Sequence, residues 1–563
     1  MDKTLQNFKS ALMCDKAKKI YKQIPLVLSV LFAAFSFFVV IYYTVFPAEG
    51  YFHSDCTDTI FWAQASADSG KVFDPNFIYA AMLPFGASVW LIPLIKIFGV
   101  TMATHVAGMV IFACLFFASI IFVCRSMGWS WNFTLISSGT VMLIMSSSDK
   151  LREIMWGHVI YYSLGLLILF TGLGLLIRMY KNFELGKKKK AYVYAALLFL
   201  LTMLGATNGF QCIAIYTLPF IVAIVAEAVF NSKDKLISAR NSYLGFGALL
   251  LIAATLLGYI ILMLVRGDIR AGYADAYSSF EDVSKWTSQL LKFPESYFSL
   301  MGVKLGDDTA TAFLTLVNLI KAVASLVILI LPVMLLFLYK KIEDMGTKLL
   351  LWAHITVTAV IMAGFVCGKL SAANWRLTPI VGTSILTSIA AIRTMISLKG
   401  ETRIVWRRLG AVFMIVPILF SFVNAKEITG MPKDYGKDNE LHRLSAFLEE
   451  NDLEYGYATF WYSQALTLIS DSEVRVRCIN ADSKSGVTPY YYQTNFNWYK
   501  DQEGVDKYFV ALNTYEASSA MYNTDWKYIT DEYLKETLIF ENFRIYVFDR
   551  NVFSIEKPSD LEG

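Results

Sequence analysis

Blocks of about 20 apolar residues recur along this 563-residue chain, and no other feature of the sequence constrains its fold as strongly. A helix of that length crosses a hydrocarbon core of roughly 30 Å, where helices and closed barrels alone satisfy their backbone hydrogen bonds. Hydrophobic residues make up 56% of the chain and charged residues 17%, whereas soluble domains carry about 25% charged residues. The sequence therefore predicts a polytopic helical membrane protein and excludes soluble, disordered and fibrous proteins.

Eleven of these blocks are predicted to cross the membrane, with the N-terminus on the cytoplasmic side. They cover residues 24–46, 101–123, 131–147, 158–177, 191–207, 210–230, 243–265, 311–338, 349–367, 377–396 and 409–423. One further block, 78–100, is interrupted by Pro84, Pro93 and Lys96. If it does not cross, every Lys- and Arg-rich connection falls on the cytoplasmic side, as the positive-inside rule requires. We therefore expect block 78–100 to be re-entrant or to lie against the outer face, and a 12-span arrangement is the alternative.

This topology divides the chain into two parts. Residues 1–424 form the predicted membrane domain, with a long outer first loop at 47–100, and residues 425–563 form a polar region on the outer side. That polar region begins with an amphipathic helix and continues with short β-prone runs, the last two of which are joined by Glu541-Asn542. The expected fold class is mainly α: a helical bundle in the plasma membrane with a small extracytoplasmic α/β domain.

Several classes of function are excluded by the composition and the loops. A formal net charge of +4 is too balanced to indicate a nucleic-acid partner, and the seven cysteines form no CxxC pair. Neither of the glycine-rich nucleotide motifs, GxGxxG and GxxxxGK[ST], occurs in a predicted inward loop. Chemistry by this chain is therefore expected on the outer side, without a soluble nucleotide.

Two carboxylates, Asp55 and Asp58, follow the first span within the outer loop. At spacing i, i+3 they share one face of a helix, which Ser54 is expected to cap and Gly70 to end. The plain interpretation is that acidic residues in a first turn offset the helix dipole. The functional alternatives are that a carboxylate at the level of the lipid head groups acts as a general base, or that the pair holds a divalent cation. The residues alone leave these interpretations open.

The carboxylates belong to a recognisable motif. The run 58–63, with the sequence DTIFWA, closes at Ser69-Gly70 and precedes the proline-broken apolar block. This layout resembles the GT-C glycosyltransferases, membrane enzymes that use polyprenyl-phosphate-linked sugars, and it is similar to their protein O-mannosyltransferase and aminoarabinose transferase branch. In that branch the leading Asp, usually followed by Glu, is the catalytic base, which implies that role for Asp58. Thr59 stands where the Glu would be, and this leaves Asp55 as the rival candidate.

A second motif, 374–379 with the sequence NWRLTP, lies at the predicted outer end of a late span. It resembles the Arg-Tyr-x-x-Pro element of many GT-C members, in which the Arg binds the phosphate of the lipid donor. The resemblance implies this role for Arg376, whose guanidinium offers a planar fork to phosphate, and Lys369 could add a point charge. The plain alternative is an arginine that snorkels to the interface.

Five further residues complete the predicted substrate-lining set. They are His53, Trp62, Trp375, Arg152 and Glu153. His53 stands beside the aspartates and is a candidate second acid–base group, and each tryptophan belongs to one of the two motifs. Arg152 and Glu153 share a short outer loop, where they either line the cavity or solvate a turn.

Together these features predict an inverting glycosyltransferase. The sugar would move from a polyprenyl-phosphate-linked donor to an extracytoplasmic acceptor, which is an envelope glycan, a lipid or a protein. The lipid bilayer is an expected partner, and nucleic acid is not. No cofactor is assigned, apart from the divalent cation that the carboxylate pair could hold. A polysaccharide polymerase or ligase, a lipid-linked glycan transporter and a non-catalytic scaffold are the alternatives. A transporter is expected to show an internal repeat, and the sequence contains no evident one.

Overall fold

The computed structural model describes residues 15–230, 239–269, 279–305, 315–369, 373–400 and 402–556. Its helices, in chain order, are α1 Asp15–Val45, α2 Asp58–Ser69, α3 Ser88–Phe98, α4 Met102–Ser126, α5 Trp131–Ile144, α6 Asp149–Arg152, α7 Tyr161–Glu184, α8 Lys188–Ala206, α9 Phe210–Cys212, α10 Leu218–Phe230, α11 Ala239–Arg266, α12 Val283–Leu291, α13 Phe293–Leu300, α14 Leu316–Phe337, α15 Met345–Cys367, α16 Thr378–Ser397, α17 Arg403–Thr429, α18 Glu440–Glu450, α19 Ser463–Ile469, α20 Thr514–Ala520 and α21 Thr524–Tyr533. A π-helical turn at Ile213–Thr217 joins α9 to α10.

Ten helical segments of the described residues are long and apolar enough to cross a membrane. They are α1, α4, α7, α8, the joined α9 and α10, α11, α14, α15, α16 and α17. Each coincides with a block that the sequence predicts to cross. The prediction of a multi-pass helical bundle is therefore confirmed.

The eleventh predicted span, 131–147, forms the shorter helix α5 of 14 residues. At 1.5 Å per residue it is about 21 Å long, which is less than the hydrocarbon thickness. It nevertheless runs alongside α1 in the same direction: Gly139 packs against Phe32, and Arg152, shortly after the end of α5, lies over the Tyr43 ring near the end of α1. The chain therefore returns along α5 from one end of the bundle to the other.

The proline-interrupted block 78–100 forms only the 11-residue helix α3. At about 16 Å it is too short to cross a bilayer. Gly99, with φ of 76°, follows its last turn, and Ile97 and Phe98 are 70% and 63% exposed. A short helix with exposed apolar side chains is the kind of segment that lies along a bilayer surface.

After α17 the chain builds a mixed six-stranded sheet. Its strands are β2 Tyr455–Thr459, β3 Arg475–Asp482, β4 Gly486–Pro489, β6 Tyr508–Asn513, β7 Leu534–Phe540 and β8 Phe543–Phe548, and two short strands, β1 Phe77–Ile78 and β5 Thr494–Asn495, pair with each other. The order is β4-β3-β2-β6-β8-β7, with β2 parallel to β3 and β6 and the other pairs antiparallel. The expected α/β fold of the C-terminal region is confirmed, while the boundary at 424/425 stays a prediction because α17 runs on to Thr429.

The connections gather at two ends of the bundle. At one end the first loop meets the C-terminal region, where Asn439 Nδ2 donates a hydrogen bond to the Gly50 carbonyl at 2.8 Å. The opposite end holds short connections with charged side chains, including an ion pair of 3.0 Å between Lys399 and Glu343. Which end faces outward stays a prediction.

If the sheet end faces outward, a cysteine there should react with a membrane-impermeant maleimide in intact cells. Ser483 is suited to the test because it is exposed, whereas a side chain at the nearby Gly486, with φ of 64°, would collide with Asn523. Relative to the parent chain, Ser483→Cys should be labelled before lysis and Lys399→Cys only after lysis. The reverse pattern would overturn the orientation, and the outer site with it.

Candidate functional site

The loop after α1 places Asp55 and Asp58 at the start of α2. Residues Ser54–Thr57 form a 3-10 turn, and α2 begins directly at Asp58. A 3-10 helix has three residues per turn, so residues i and i+3 lie on the same side of it. The two aspartates therefore share one side, as the sequence predicts. The prediction that Ser54 caps α2 is wrong, since Ser54 opens the preceding turn and its hydroxyl is buried without a partner among the described residues. Gly70 follows α2 with φ of 66°, as predicted.

Asp58 is the buried member of the pair. It is 8% exposed, and its Oδ1 makes no hydrogen bond with any described residue. Burial, and then the charge of Asp55, raise the pKa of Asp58 well above the usual range; Glu153 adds to this effect, while His53 and Gln493 oppose it. A carboxyl with a raised pKa exchanges its proton nearer to neutral pH than an ordinary aspartate, which suits a general base or acid.

Glu153 is the centre of a charged cluster close to these aspartates. Its Oε2 lies 2.5 Å from Lys150 Nζ and 3.5 Å from His53 Nε2, and its Oε1 lies 3.7 Å from His158 Nε2. Burial by itself would raise the pKa of Glu153, but these neighbours lower it below the usual range. Burial lowers the pKa of His53, but Cys56 and Glu153 outweigh it and raise that pKa overall. Glu153 is therefore charged near neutral pH, and its negative charge favours the protonated form of His53.

Two of the predicted lining residues, Arg152 and Trp62, make hydrogen bonds to other parts of the protein. Arg152 is 4% exposed, and its guanidinium donates a hydrogen bond to the Ser146 carbonyl at 2.9 Å. Trp62 is also buried, and its Nε1 donates to Gln493 Oε1 at 2.5 Å. Both side chains thus hold neighbouring segments together, and Trp62 does so between α2 and the C-terminal region.

Arg376 lines a cavity of about 450 Å³ between α7, α11 and α15. Arg266, the last residue of α11, lines the same cavity, and its Nε makes no hydrogen bond within the described part of the chain. Apolar side chains, among them Leu262, Ile361 and Phe365, form another part of the wall. Two guanidinium groups next to an apolar lining fit a lipid with an anionic head group.

Trp375 and Lys369 do not line this cavity. The ring of Trp375 faces Lys150, whose Nζ lies 5.0 Å from the ring centre, so the turn that carries Arg376 touches the Glu153 cluster. Lys369 is exposed, and its charge acts on Glu281 instead. Arg266, rather than Lys369, is therefore the second cation beside Arg376.

Tyr161 connects the carboxylates with the arginines. It begins α7, lines the Arg376 cavity, and lies within electrostatic range of Arg376, Asp58 and Asp55. A second, smaller cavity of about 170 Å³ is lined by His53 and other members of the first loop. The predicted base candidates and the predicted phosphate ligand thus lie within electrostatic range of the same tyrosine, although neither aspartate lines either of the two cavities.

A divalent-cation site is not apparent among the described residues. Among them, no group of three or more His, Cys, Asp or Glu side chains could hold a metal ion. We therefore derive no step of the chemistry through a metal.

Sequence reasoning does not find Arg266, Tyr161 and Gln493. Arg266 carries the same signal as Arg376, a basic residue at the outer end of a predicted span, and could have been found by it. Tyr161 and Gln493 have no local signal, since their positions depend on the packing of distant segments. Gln493 meets Trp62 across 431 residues of sequence.

Comparison with known proteins adds solved structures of similar fold. No family model matches the sequence, and no curated protein matches it. ArnT from Cupriavidus metallidurans bound to undecaprenyl phosphate gives a TM-score of 0.53 at 11% identity, over 95% of this chain and 100% of that chain. Its apo state gives 0.54 at 10% identity, over 94% and 99%. The Archaeoglobus fulgidus oligosaccharyltransferase in complex with zinc and sulfate gives 0.51 at 11% identity, over 93% and 73%.

Likeness at these identities shows the fold alone. Over more than nine-tenths of its length the chain shares the overall fold of these solved structures, which is the GT-C fold. The chain therefore has the GT-C fold, as the two short motifs predict.

Glu153→Gln tests whether the charged cluster stabilises the loops at the sheet end of the bundle. The amide keeps the size but removes the charge that pairs with Lys150 and His53, so we expect a loss of about 1–3 kcal/mol in the free energy of unfolding. Because pairing lowers the pKa of Glu153, this stabilisation is complete above the pKa of an unfolded glutamate, about 4.3, and is lost as the pH falls through the lower folded-state value. Thermal unfolding in detergent across this pH range measures the effect.

The matched control is Glu281→Gln, which removes the exposed ion pair between Glu281 and Lys285. Exposed pairs contribute little, so its unfolding midpoint should stay close to that of the parent. Equal midpoints for Glu153→Gln and the parent at pH 7 would contradict a stabilising role for the cluster.

Proposed function

We propose that this chain is an inverting glycosyltransferase, which transfers a sugar from a polyprenyl-phosphate-linked donor to an acceptor on the outer side of the plasma membrane. The observation that carries the proposal is a buried carboxyl, Asp58, whose Oδ1 makes no hydrogen bond with a described residue and which lies close to a cavity lined by Arg376 and Arg266. The undecaprenyl phosphate in the ArnT structure of the same fold supports a lipid-phosphate donor. The acceptor is an envelope glycan, a lipid or a protein.

The two arginines would hold the phosphate of the donor. A guanidinium pairs with phosphate through two parallel hydrogen bonds, and both side chains line the cavity. Leu262, Ile361 and Phe365 offer the apolar surface that an isoprenyl chain needs. As the bond between the sugar and the phosphate breaks, negative charge grows on the phosphate, and the arginines stabilise it most in the transition state. Lys369 is outside the cavity and receives no role.

Asp58 would act as the general base. It takes the proton from the acceptor hydroxyl or amine while that atom forms a bond to the anomeric carbon. The bond from this carbon to the phosphate oxygen breaks at the same time, and its electron pair leaves with the phosphate. Attack opposite to the leaving group inverts the configuration. Asp55 helps to keep the pKa of Asp58 high and is the alternative base.

The acceptor side is assigned to the smaller cavity, because His53 and Glu153 both line it. The Glu153 carboxylate and the His53 ring would orient the polar group that attacks the sugar. Trp62 and Trp375 would support the site from the flanks, the first through Gln493 and the second through Lys150.

The alternative functions make different use of the same groups. A polysaccharide polymerase or ligase would share the lipid-linked substrate and differ in the acceptor. A lipid-linked glycan transporter or a scaffold has no step that needs a proton acceptor. Replacement of Asp58 therefore separates transfer from transport.

Asp58→Asn should lower sugar transfer by roughly 10²–10⁴-fold, because the amide keeps the shape and polarity of the side chain but cannot accept the proton. Asp55→Asn should retain more activity and extend it to lower pH, since removal of the Asp55 charge lowers the pKa of Asp58. The measurement is transfer from a lipid-linked donor by purified variants at matched expression and thermal stability.

Two outcomes would change this assignment. Loss of transfer in Asp55→Asn with transfer retained in Asp58→Asn would exchange the two roles. Near-normal transfer by both single variants and by the double variant would remove the catalytic assignment.

Arg376→Ala should lower kcat/KM for the lipid donor by roughly 10–100-fold, the effect of losing a hydrogen bond to a charged group. Arg376→Lys should lie between this variant and the parent, because lysine keeps the charge but loses the planar fork. Arg266→Ala should impair use of the donor in the same sense, while Lys369→Ala, outside the cavity, serves as the matched control. Activity at the parent level in both Arg376 variants would mean that Arg376 merely reaches the membrane interface.

A further inference from the structure

One segment of the C-terminal region is built into the first outer loop. Strand β5 pairs antiparallel with β1, so that Asn495 lies opposite Phe77 and Thr494 opposite Ile78. Asn495 Nδ2 also donates a hydrogen bond to Asp74 Oδ2 at 2.8 Å. The residue that precedes β5, Gln493, is thereby carried to the helix that bears Asp58.

Gln493 is fixed in this place from several directions. It is 3% exposed and adopts a φ of 55°, a left-handed conformation that few non-glycine residues adopt. The side chain of Gln464 donates to its carbonyl at 2.8 Å. Its own Oε1 accepts from Trp62 Nε1 at 2.5 Å and, more weakly, from the Ala80 backbone NH at 3.4 Å. Hydrogen bonds to the backbone carbonyl and to the side-chain oxygen therefore both fix the position of Gln493.

The partners of Gln493 also determine which way its amide faces. An indole nitrogen only donates, so the oxygen of the amide must face Trp62 and the NH₂ group must face away from it. Trp62 lies four residues after Asp58 and so on the same face of α2. The amide interacts with the Asp58 carboxyl, although neither Gln493 Nε2 nor Asp58 Oδ1 makes a hydrogen bond of normal geometry with a described residue.

We infer that Gln493 is a positioning residue, through which the C-terminal region orients the Asp58 carboxyl and favours its charged form. The inference rests on the proposed role of Asp58 as the base. A carboxylate accepts a hydrogen bond from an amide NH₂ more strongly than a neutral carboxyl does, so the donor stabilises the state that can take a proton. The two unpaired atoms, one a donor and one an acceptor, would complete this bond with a small movement of either side chain.

The charged groups around Asp58 make a neutral donor useful. Asp55 and Glu153 disfavour a further negative charge there, and His53 favours it. Tyr161, on α7, lies within electrostatic range of Asp58 as well. A lysine in place of Gln493 would form an ion pair that holds Asp58 in its charged form and makes it a weak base. An amide favours ionisation while leaving the carboxylate able to accept a proton.

The test uses the full chain and two variants, Gln493→Leu and Gln493→Glu. The first removes the donor. The second keeps the shape and can still accept from Trp62, but it places a carboxyl beside Asp58. Asn495→Ala is the matched control, because it removes a link between the same segment and the first loop without touching Asp58.

Two readouts are measured as a function of pH. The first is modification of Asp58 by dicyclohexylcarbodiimide, which reacts with protonated carboxyls in apolar surroundings; peptide mass spectrometry assigns the site, and no sugar transfer is needed. The second is kcat/KM for transfer. We expect Gln493→Leu to move the pH midpoint of Asp58 modification upward by about one unit, and Gln493→Glu by more. Below the midpoint kcat/KM should fall about tenfold, with recovery at higher pH.

The outcomes separate this inference from the proposed function. Upward shifts in both Gln493 variants but not in Asn495→Ala support a positioning role, even if the parent transfers no sugar, in which case only the proposed function fails. An unchanged midpoint in both variants, or a loss of transfer that is equal at every pH and is matched by Asn495→Ala, would overturn the inference. Gln493→Glu, which keeps the size of the side chain, decides the matter if Gln493→Leu does not fold.

Discussion

Burial of the Asp58 carboxyl is the constraint on which the sheet end of the bundle depends. A charge removed from water must be paired, or its pKa must move towards the neutral form. Asp58 has no ion-pair partner among the described residues, and Asp55 makes its ionisation harder still. The cost of this arrangement must be offset elsewhere, and the neighbouring cluster of Lys150, Glu153 and His53 supplies paired charges that can do so. A buried carboxyl that is costly to ionise thus lies next to a cluster of paired charges.

The positive and negative groups of the site are kept apart. If a guanidinium paired directly with Asp58, each group would satisfy the other, and neither a phosphate nor a proton would be bound strongly. Instead Arg376 and Arg266 line their own cavity, and Tyr161 lies within electrostatic range of both the arginine and the aspartates. This separation leaves the arginines available to an anionic head group and leaves Asp58 able to accept a proton.

Features of the fold and the site that depend on interactions between residues close in sequence can be predicted from the sequence, whereas features that depend on contacts between distant segments cannot. The helical blocks and the placement of Asp55 and Asp58 on one side follow from local periodicity and from the thickness of a bilayer, and they are predictable. The cap at Ser54 is not, because a 3-10 turn displaces the helix start to Asp58. The contact between Trp62 and Gln493 joins segments 431 residues apart, and no local pattern encodes it.

The solved structures of the same fold share only 10–11% of their residues with this chain, although they align with more than nine-tenths of it. The membrane environment explains how the fold is kept at so low a sequence identity. In lipid, many apolar side chains satisfy a span equally well, so the layout of helices persists while the residues that build it differ. The sequence is then expected to be specific only where chemistry requires one type of side chain, and under the proposed function these places are the carboxyl after the first span and the arginine at the end of a late one. Two short motifs are therefore enough to indicate this fold in a chain that no family model matches.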